Sequence, residues 1–183
     1  MTVQRELEVL EEIVAVLSRL GIPYMLTGSF ALAFYATPRM TRDIDVVVEM
    51  KLEDADRLHQ ELAGRYYIDA SGIREAIIHQ YMFNVIRSSS IVKVDFVIRK
   101  DEPYRQEEFR RRRSVVLDGV PVQIVSPEDL ILSKLFWARD SRSERQLGDV
   151  RNLLQNVDNL DWPYLARWAA HLELADLLEE VRR

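Results

Sequence analysis

Residues 28–48 read GSFALAFYATPRMTRDIDVVV, and this stretch contains the patterns that decide the fold. Asp43 and Asp45 alternate with Ile44 and lead into three valines, and such alternation with β-branched residues predicts a strand. Residues two apart on a strand point to the same face, so the two carboxylates should lie side by side. Like charges this close raise one pKa unless a cation lies between them, and hard divalent cations such as Mg²⁺ prefer oxygen ligands. The spacing therefore indicates a metal-binding edge.

The start of this stretch predicts a phosphate-binding turn. Gly28 and Ser29 follow the apolar run 24–26 and precede the apolar run 30–34, which predicts a strand, a tight turn and the first turn of a helix. Backbone N–H groups at a helix N-terminus bind phosphate oxygens, and glycine lets the backbone approach closely. A phosphate cradle followed by a pair of carboxylates suggests a metal-bound nucleoside triphosphate.

The order of these elements resembles the nucleotidyltransferase superfamily related to DNA polymerase β, whose signature is Gly-Ser, a spacer, Asp-x-Asp and a third carboxylate on a later strand. Thr41 and Arg42 extend the second motif to TRDID, which is similar to the small bacterial nucleotidyltransferases of the abortive-infection toxin type. The resemblance covers roughly residues 20–155. We expect an α+β fold with a mixed, mostly antiparallel sheet flanked by helices. Residues 1–125 would form the catalytic domain with its N-terminal helix, and residues 126–183 a helical bundle packed on it.

The third carboxylate of the resemblance falls on Asp95. The run 91–98 alternates as a strand should, with Val92, Val94 and Phe96 on one face and Asp95 on the other. An isolated strand acid is equally explained by a salt bridge or a solvated face. The resemblance implies instead that Asp95 joins Asp43 and Asp45 as catalytic residue and metal ligand, holding two Mg²⁺ ions, with Mn²⁺ as an alternative.

Further site residues come from a capped helix and a basic loop. Ser126, Pro127 and Asp129 begin a helix that carries Lys134 within an apolar run. Lys134 is either a snorkelling surface lysine or, as the resemblance implies, a contact to the nucleotide. Arg39 and Arg42 lie in the loop before the Asp-x-Asp motif and are candidates for neutralising phosphate charge. Asp149 either orients Lys134 or an arginine, or is an acidic residue in the first turn of a helix.

The rest of the chain is predicted from periodicity. Helices are expected over residues 3–20, 52–62 and 102–113, strands over 66–68 and from 76–78 to 85–86, a hairpin over 115–125 around Asp118-Gly119, a polar connector over 139–145, and one or two helices over 160–181. The arginine run 110–113 is either a solvated face or a patch that contacts RNA phosphates.

Composition limits the function classes. The 183 residues include no cysteine, which excludes disulfides and thiolate metal sites and fits a cytoplasmic protein. No apolar run approaches the length of a membrane helix, so no membrane partner is expected. The formal net charge of −5 means that any contact with nucleic acid would have to be local.

These patterns predict a metal-dependent enzyme that moves a nucleoside monophosphate from an NTP to an acceptor hydroxyl. The resemblance favours a toxin-type enzyme acting on tRNA or another RNA, with a cognate antitoxin as a possible partner. Two other acceptors remain open, a partner protein that is adenylylated and a small molecule. A non-catalytic nucleotidyltransferase-like module that only binds a nucleotide or a partner is a further alternative.

Overall fold

The computed structural model describes residues 2–41, 43–90 and 92–183. In these residues a seven-stranded sheet has the order β3-β4-β5-β2-β1-β7-β6. The strands are β1 (Tyr24–Thr27), β2 (Asp43–Val48), β3 (Tyr66–Tyr67), β4 (Met82–Arg87), β5 (Lys93–Ile98), β6 (Arg113–Leu117) and β7 (Val120–Ile124). β1 with β7 and β2 with β5 are parallel, while the other neighbouring pairs are antiparallel. The expected mixed, mostly antiparallel sheet is confirmed.

Helices surround this sheet. They are α1 (Thr2–Leu20), α2 (Gly28–Tyr35), α3 (Leu52–Leu62), α4 (Ala70–His79), α5 (Pro103–Arg110), α6 (Pro127–Ser141), α7 (Glu144–Asn156), α8 (Trp162–His171) and α9 (Ala175–Arg182). α6 packs against α7, α8 and α9, which forms the expected C-terminal bundle. α2 contacts β1 and β2 on one side and α6 and α7 on the other, so it connects the sheet to the bundle. No described helix combines the length and apolar character needed to cross a bilayer.

Alternation along β2 separates the core from the functional face. Ile44, Val46 and Val48 are buried in the core, whereas Asp43 and Asp45 lie on the opposite face. The largest apolar side chains of α1 point into the same core, as its period of three to four residues predicts. The Asp118-Gly119 hairpin is also confirmed: both residues have positive φ angles, 46° and 88°, and they join β6 to β7.

Three predictions about local structure are wrong. Residues 76–78 belong to α4 rather than to a strand; the helix begins where the Asp69 side chain accepts hydrogen bonds from the N–H groups of Ser71 and Gly72. The connector predicted over 139–145 is short, because α6 continues to Ser141 and α7 begins at Glu144. The helix predicted to end at residue 113 ends at Arg110. The proposed start of β5 at residue 91 falls outside the described residues.

Candidate active site

The three aspartates of the predicted site come together on two adjacent parallel strands. Asp45 on β2 pairs in register with Asp95 on β5, and Asp43 pairs with Lys93. Neighbouring strands lie about 4.8 Å apart, so all three carboxylates occupy one small area of the functional face. The Asp43 side chain is half exposed, whereas Asp95 is buried. The area is thus open to solvent at Asp43 and closed at Asp95.

Gly28 fits this face because any larger residue would collide with Asp45. Its φ angle is +65°, a conformation that favours glycine, and a Cβ built there would lie 1.9 Å from Asp45 Oδ2. Thr27, the residue before it, pairs in register with Asp45. Ser29 follows in the first turn of α2 and is buried. The turn therefore presents the N-terminus of α2 directly beside a carboxylate.

The raised pKa of Asp45 shows that bringing these carboxylates together is electrostatically unfavourable. Burial, followed by the charges of Asp95 and Asp43, raises its pKa to about 6 from an ordinary value of 3.8. The cations Lys134 and Lys93 act in the opposite direction but do not cancel the effect. Asp45 therefore lies at a position where additional positive charge would be stabilising.

Lys93 is a site residue that the sequence interpretation missed. Its Nζ donates a hydrogen bond to Asp95 Oδ2 at 2.7 Å and lies 3.8 Å from Asp43 Oδ1. The hydrogen bond with Asp95 is the main reason that the pKa of Lys93 is raised. The alternation of β5 already places residues 93 and 95 on one face, and this was the signal that could have identified it.

The donor set suits a hard divalent cation. Three carboxylates supply oxygen ligands. Asp95 Oδ1 is buried without a hydrogen-bond partner among the described residues, which is typical of an oxygen that binds an ion. The described residues contain no group of three acidic, histidine or cysteine side chains already closed around one ion position. The Lys93 ammonium lies close to both Asp43 and Asp95, at 3.8 and 2.7 Å from their oxygens. The residues fit an ion once Lys93 turns away.

Lys134 lies in a buried ion network rather than on the surface. Its Nζ donates to Asp149 Oδ2 at 2.6 Å, and Arg39 donates to both Asp149 oxygens at 2.8 and 2.9 Å. Burial lowers the pKa of Lys134 although Asp149 opposes the change. Burial alone would raise the pKa of Asp149, but the hydrogen bonds from Arg39 and Lys134 lower it. Burial of Lys134 excludes the interpretation as a snorkelling surface residue.

Asp149 lies in the middle of α7, so its interpretation as a helix-start acid is wrong. It holds together cations from α6 and from the loop after α2. Arg42, the other arginine predicted for this loop, lies outside the described residues. The structure therefore groups Lys134, Arg39 and Asp149, and the field of Lys134 reaches Asp45.

The arginine run 110–113 is engaged within the chain. Arg110 pairs with Glu107, and Arg111 pairs with Glu128 and Asp129 and packs over the Tyr164 ring. The guanidinium of residue 112 donates to a backbone carbonyl, and residue 113 lies 3.7 Å from the carboxylate of residue 128. The contacts of residues 111 and 113 join this segment to α6, whereas the side chains of Arg110 and residue 113 stay exposed, as a solvated face would have them. The ion pairs within the chain argue against the RNA-binding patch.

Two concavities flank the carboxylates. The first, here called the loop cavity, has a volume of about 330 Å³ and is lined by Glu6, Ser29, Phe30, Ala33, residues 38–41, Asp43 and Arg145. The second, here called the sheet groove, has a volume of about 350 Å³. Its lining includes Thr27, Val47 and Val97 on the functional face and the exposed Tyr81, Met82 and Trp137. The carboxylates thus have one ligand-sized space on each side.

Several solved structures share this fold. The antibiotic-resistance factor ANT(2'')-Ia has a TM-score of 0.58 and 17% identity, with 94% of this chain and 97% of that chain covered. The lincosamide antibiotic adenylyltransferase LnuA, bound to lincomycin, has a TM-score of 0.55 and 12% identity over 84% and 97% of the two chains. An antigenic nucleotidyltransferase-like protein from Paracoccidioides brasiliensis has a TM-score of 0.52 and 16% identity over 95% and 90%. At such identities the likeness shows the fold.

The sequence itself gives the family. No curated protein matches the chain significantly. The family model described as nucleotidyl transferase AbiEii toxin, Type IV TA system, matches residues 9–180 and so includes all three aspartates, the Gly28 turn and the Lys134 network. With the fold and the paired carboxylates in agreement, the chain belongs to the AbiEii nucleotidyltransferase toxin family.

Proposed function

We propose that the protein transfers a nucleoside monophosphate from an NTP to a hydroxyl group of an RNA, such as the 3′ end of a tRNA, in a reaction that requires Mg²⁺, with Mn²⁺ as an alternative ion. The observation that carries this proposal is the register pairing of Asp45 with Asp95, beside Asp43 and the N-terminus of α2. A set of oxygen ligands next to backbone N–H groups matches the needs of phosphoryl transfer, which are positioning and charge neutralisation.

In this proposal each residue of the site would have a distinct role. Asp43, Asp45 and Asp95 would hold two ions, and ions bound there would stabilise the attacking and leaving oxygens. The Gly28 and Ser29 N–H groups would bind the β- and γ-phosphates. In the balanced step, the acceptor oxygen forms a bond to the α-phosphorus, the bond to the bridging oxygen breaks, and pyrophosphate leaves. The hydroxyl proton would pass to the other oxygen of Asp95, Oδ2, which Lys93 would leave on turning away.

The cation network would act on the leaving pyrophosphate. Lys134 and Arg39 supply two positive charges, and Asp149 fixes their positions through three hydrogen bonds. A phosphate that approached from the α2 side would meet both cations without any need to order flexible side chains first. Arg42 is proposed for the same role on the strength of its position in the sequence.

The sheet groove supports an RNA acceptor. It borders the Asp45 and Asp95 strands, and the exposed aromatic side chains Tyr81 and Trp137 lie at its edge. Exposed aromatic rings stack with unpaired bases irrespective of sequence, at about 1–3 kcal/mol per base. The cations of this lining are paired with acids of the chain, Arg99 with Glu49 and Lys100 with Glu102, so the exposed aromatic rings and not local charge favour RNA here. The family description implies an antitoxin partner, and we propose the cytoplasm as the site of action.

The test is a labelling reaction with a matched pair of proteins. Wild type and Asp43→Ala are mixed with Mg²⁺, each α-labelled NTP in turn, and an extract that contains RNA and protein; Asp158→Asn, an exposed carboxylate after α7, is the control. Label in an RNA band with wild type and the control only is the expected result. Label in a protein band would replace RNA by a protein acceptor. Label in a small product would replace it by a small molecule, whose size the groove also suits. No label and no pyrophosphate release would refute the enzyme and leave a binding module.

A further inference from the structure

Glu6 is a buried carboxylate that no step above uses. It lies in α1, only 3% of its surface is exposed, and its Oε2 has no hydrogen-bond partner among the described residues. Buried carboxylates are normally paired, because an ionised group loses its hydration without compensation otherwise. Glu6 also precedes the part of the chain that matches the family model, residues 9–180. An unsatisfied buried acceptor of this kind suggests that a ligand supplies the missing donor.

The loop cavity gives that ligand a location. Ser29 and Asp43, at one part of its lining, belong to the proposed phosphate and metal site, and Glu6 lines the same cavity. Phe30, Ala33, Pro38 and Met40 supply most of the remaining apolar wall. A volume of about 330 Å³ accommodates a nucleoside. A flat apolar group with one polar edge, attached to a phosphate, is therefore the chemical form that suits this space.

We propose that the loop cavity binds the base of the NTP and that Glu6 accepts a hydrogen bond from the exocyclic amino group of that base. This inference rests on the proposed function. An ionised carboxylate is only an acceptor, so it pairs with the amino groups of cytosine or adenine and opposes the carbonyl oxygen that uracil or hypoxanthine places at the same position. Glu6 is thus a specificity-determining residue that selects amino-bearing bases.

Binding measurements separate this inference from the reaction. Dissociation constants are measured by calorimetry with Mg²⁺ for two pairs that differ in an amino or carbonyl group, CTP against UTP and ATP against ITP. We expect wild type to bind the amino member of each pair about 10- to 100-fold more tightly. This ratio corresponds to the free-energy difference between a hydrogen bond to a charged group and a buried group left without a partner. Glu6→Gln, which can present either an acceptor or a donor, should reduce each ratio to below about threefold. Glu11→Gln, an exposed position of the same helix, should leave the ratios unchanged.

The outcomes distinguish the two proposals. Equal binding of the paired nucleotides by wild type, or unchanged ratios in a folded Glu6→Gln, overturns the role of Glu6 while nucleotidyl transfer stands. Discrimination that disappears in Glu6→Gln without any transfer activity supports the base site and refutes the proposed reaction. Absence of binding for every NTP overturns both.

Discussion

Removing one carboxylate should make the metal-free protein more stable. The change is Asp45→Asn, which keeps the shape of the side chain and eliminates its charge. In the folded protein the pKa of Asp45 is raised from 3.8 to about 6, first by burial and then by Asp95 and Asp43. Ionised Asp45 therefore opposes folding at neutral pH, and asparagine relieves that opposition.

The magnitude follows from linkage. A raised pKa means that the folded state retains a proton which the unfolded state releases, so folding becomes less favourable as pH rises through this window. The cost is absent below the unfolded pKa of 3.8, grows between pH 4 and 6, and is complete above the folded pKa of about 6. Two pKa units correspond to about 3 kcal/mol, and the partial exposure of Asp45 reduces this to about 2 kcal/mol. For a chain of this length, that is a Tm increase of about 4–8 °C.

The assay is thermal unfolding of both proteins in EDTA at steps from pH 4 to pH 8, with Asp158→Asn as an exposed control. We expect a Tm difference near zero at pH 4 that rises to its full value by pH 7. Mg²⁺ should then stabilise wild type more than the variant, since only wild type keeps the full ligand set. A variant no more stable than wild type at pH 8, or a difference that does not change with pH, would refute the assignment of a charge cost to Asp45.

Three further changes test the surroundings. Gly28→Ala should lower the free energy of unfolding by about 1–3 kcal/mol, because alanine is strained at a φ of +65°. It should also reduce the rate of transfer at least about 100-fold, because the new Cβ would displace Asp45. A folded variant with full activity in a kinetic assay would contradict the close contact. Lys93→Met should lower the Mg²⁺ concentration needed for half-maximal thermal stabilisation, since the ammonium competes for the carboxylates; an increase contradicts competition. Asp149→Ala should lower the free energy of unfolding in urea by about 3–5 kcal/mol, because Lys134 would stay buried without its partner. Adding Lys134→Met should recover part of this free energy, and no recovery would contradict the pairing.

The parts predicted from sequence are those that short segments determine. The alternation around Asp43 and Asp45 defines a strand face whatever its neighbours are, and the glycine turn at residue 28 depends on its own φ angle and one close contact. The Asp118-Gly119 hairpin is equally local. The sheet class followed from the family resemblance, since strand order depends on contacts between distant segments.

The missed parts depend on distant partners or on ambiguous patterns. The run Ala76-Ile77-Ile78 suits a buried strand or a helix, and only the Asp69 cap decides between them. The alternation of residues 93–98 places Lys93 on the same face as Asp95, but its pairing needs the β2–β5 register, which the sequence does not show. The arginines at 111 and 113 pair with acids of α6, which periodicity does not bring near them. Glu6 gives no signal in an amphipathic acidic helix until burial is known.

The charge balance of the site predicts that nucleotide binding requires divalent ions. The carboxylate cluster and the cation network together contain four carboxylates and three cations, which sum to −1: Asp43, Asp45, Asp95 and Asp149 against Lys93, Lys134 and Arg39. Lys134 and Arg39 already share the Asp149 carboxylate, so they present about one net positive charge to an incoming triphosphate that carries about four negative charges. The α2 N-terminus adds only about half a charge. The site and the triphosphate together carry about five negative charges, of which two divalent ions would neutralise four, and one of the ions would also release Lys93 from the carboxylates. Nucleotide should therefore bind weakly in EDTA, and strong binding without divalent ions would show that the cation network alone holds the phosphates.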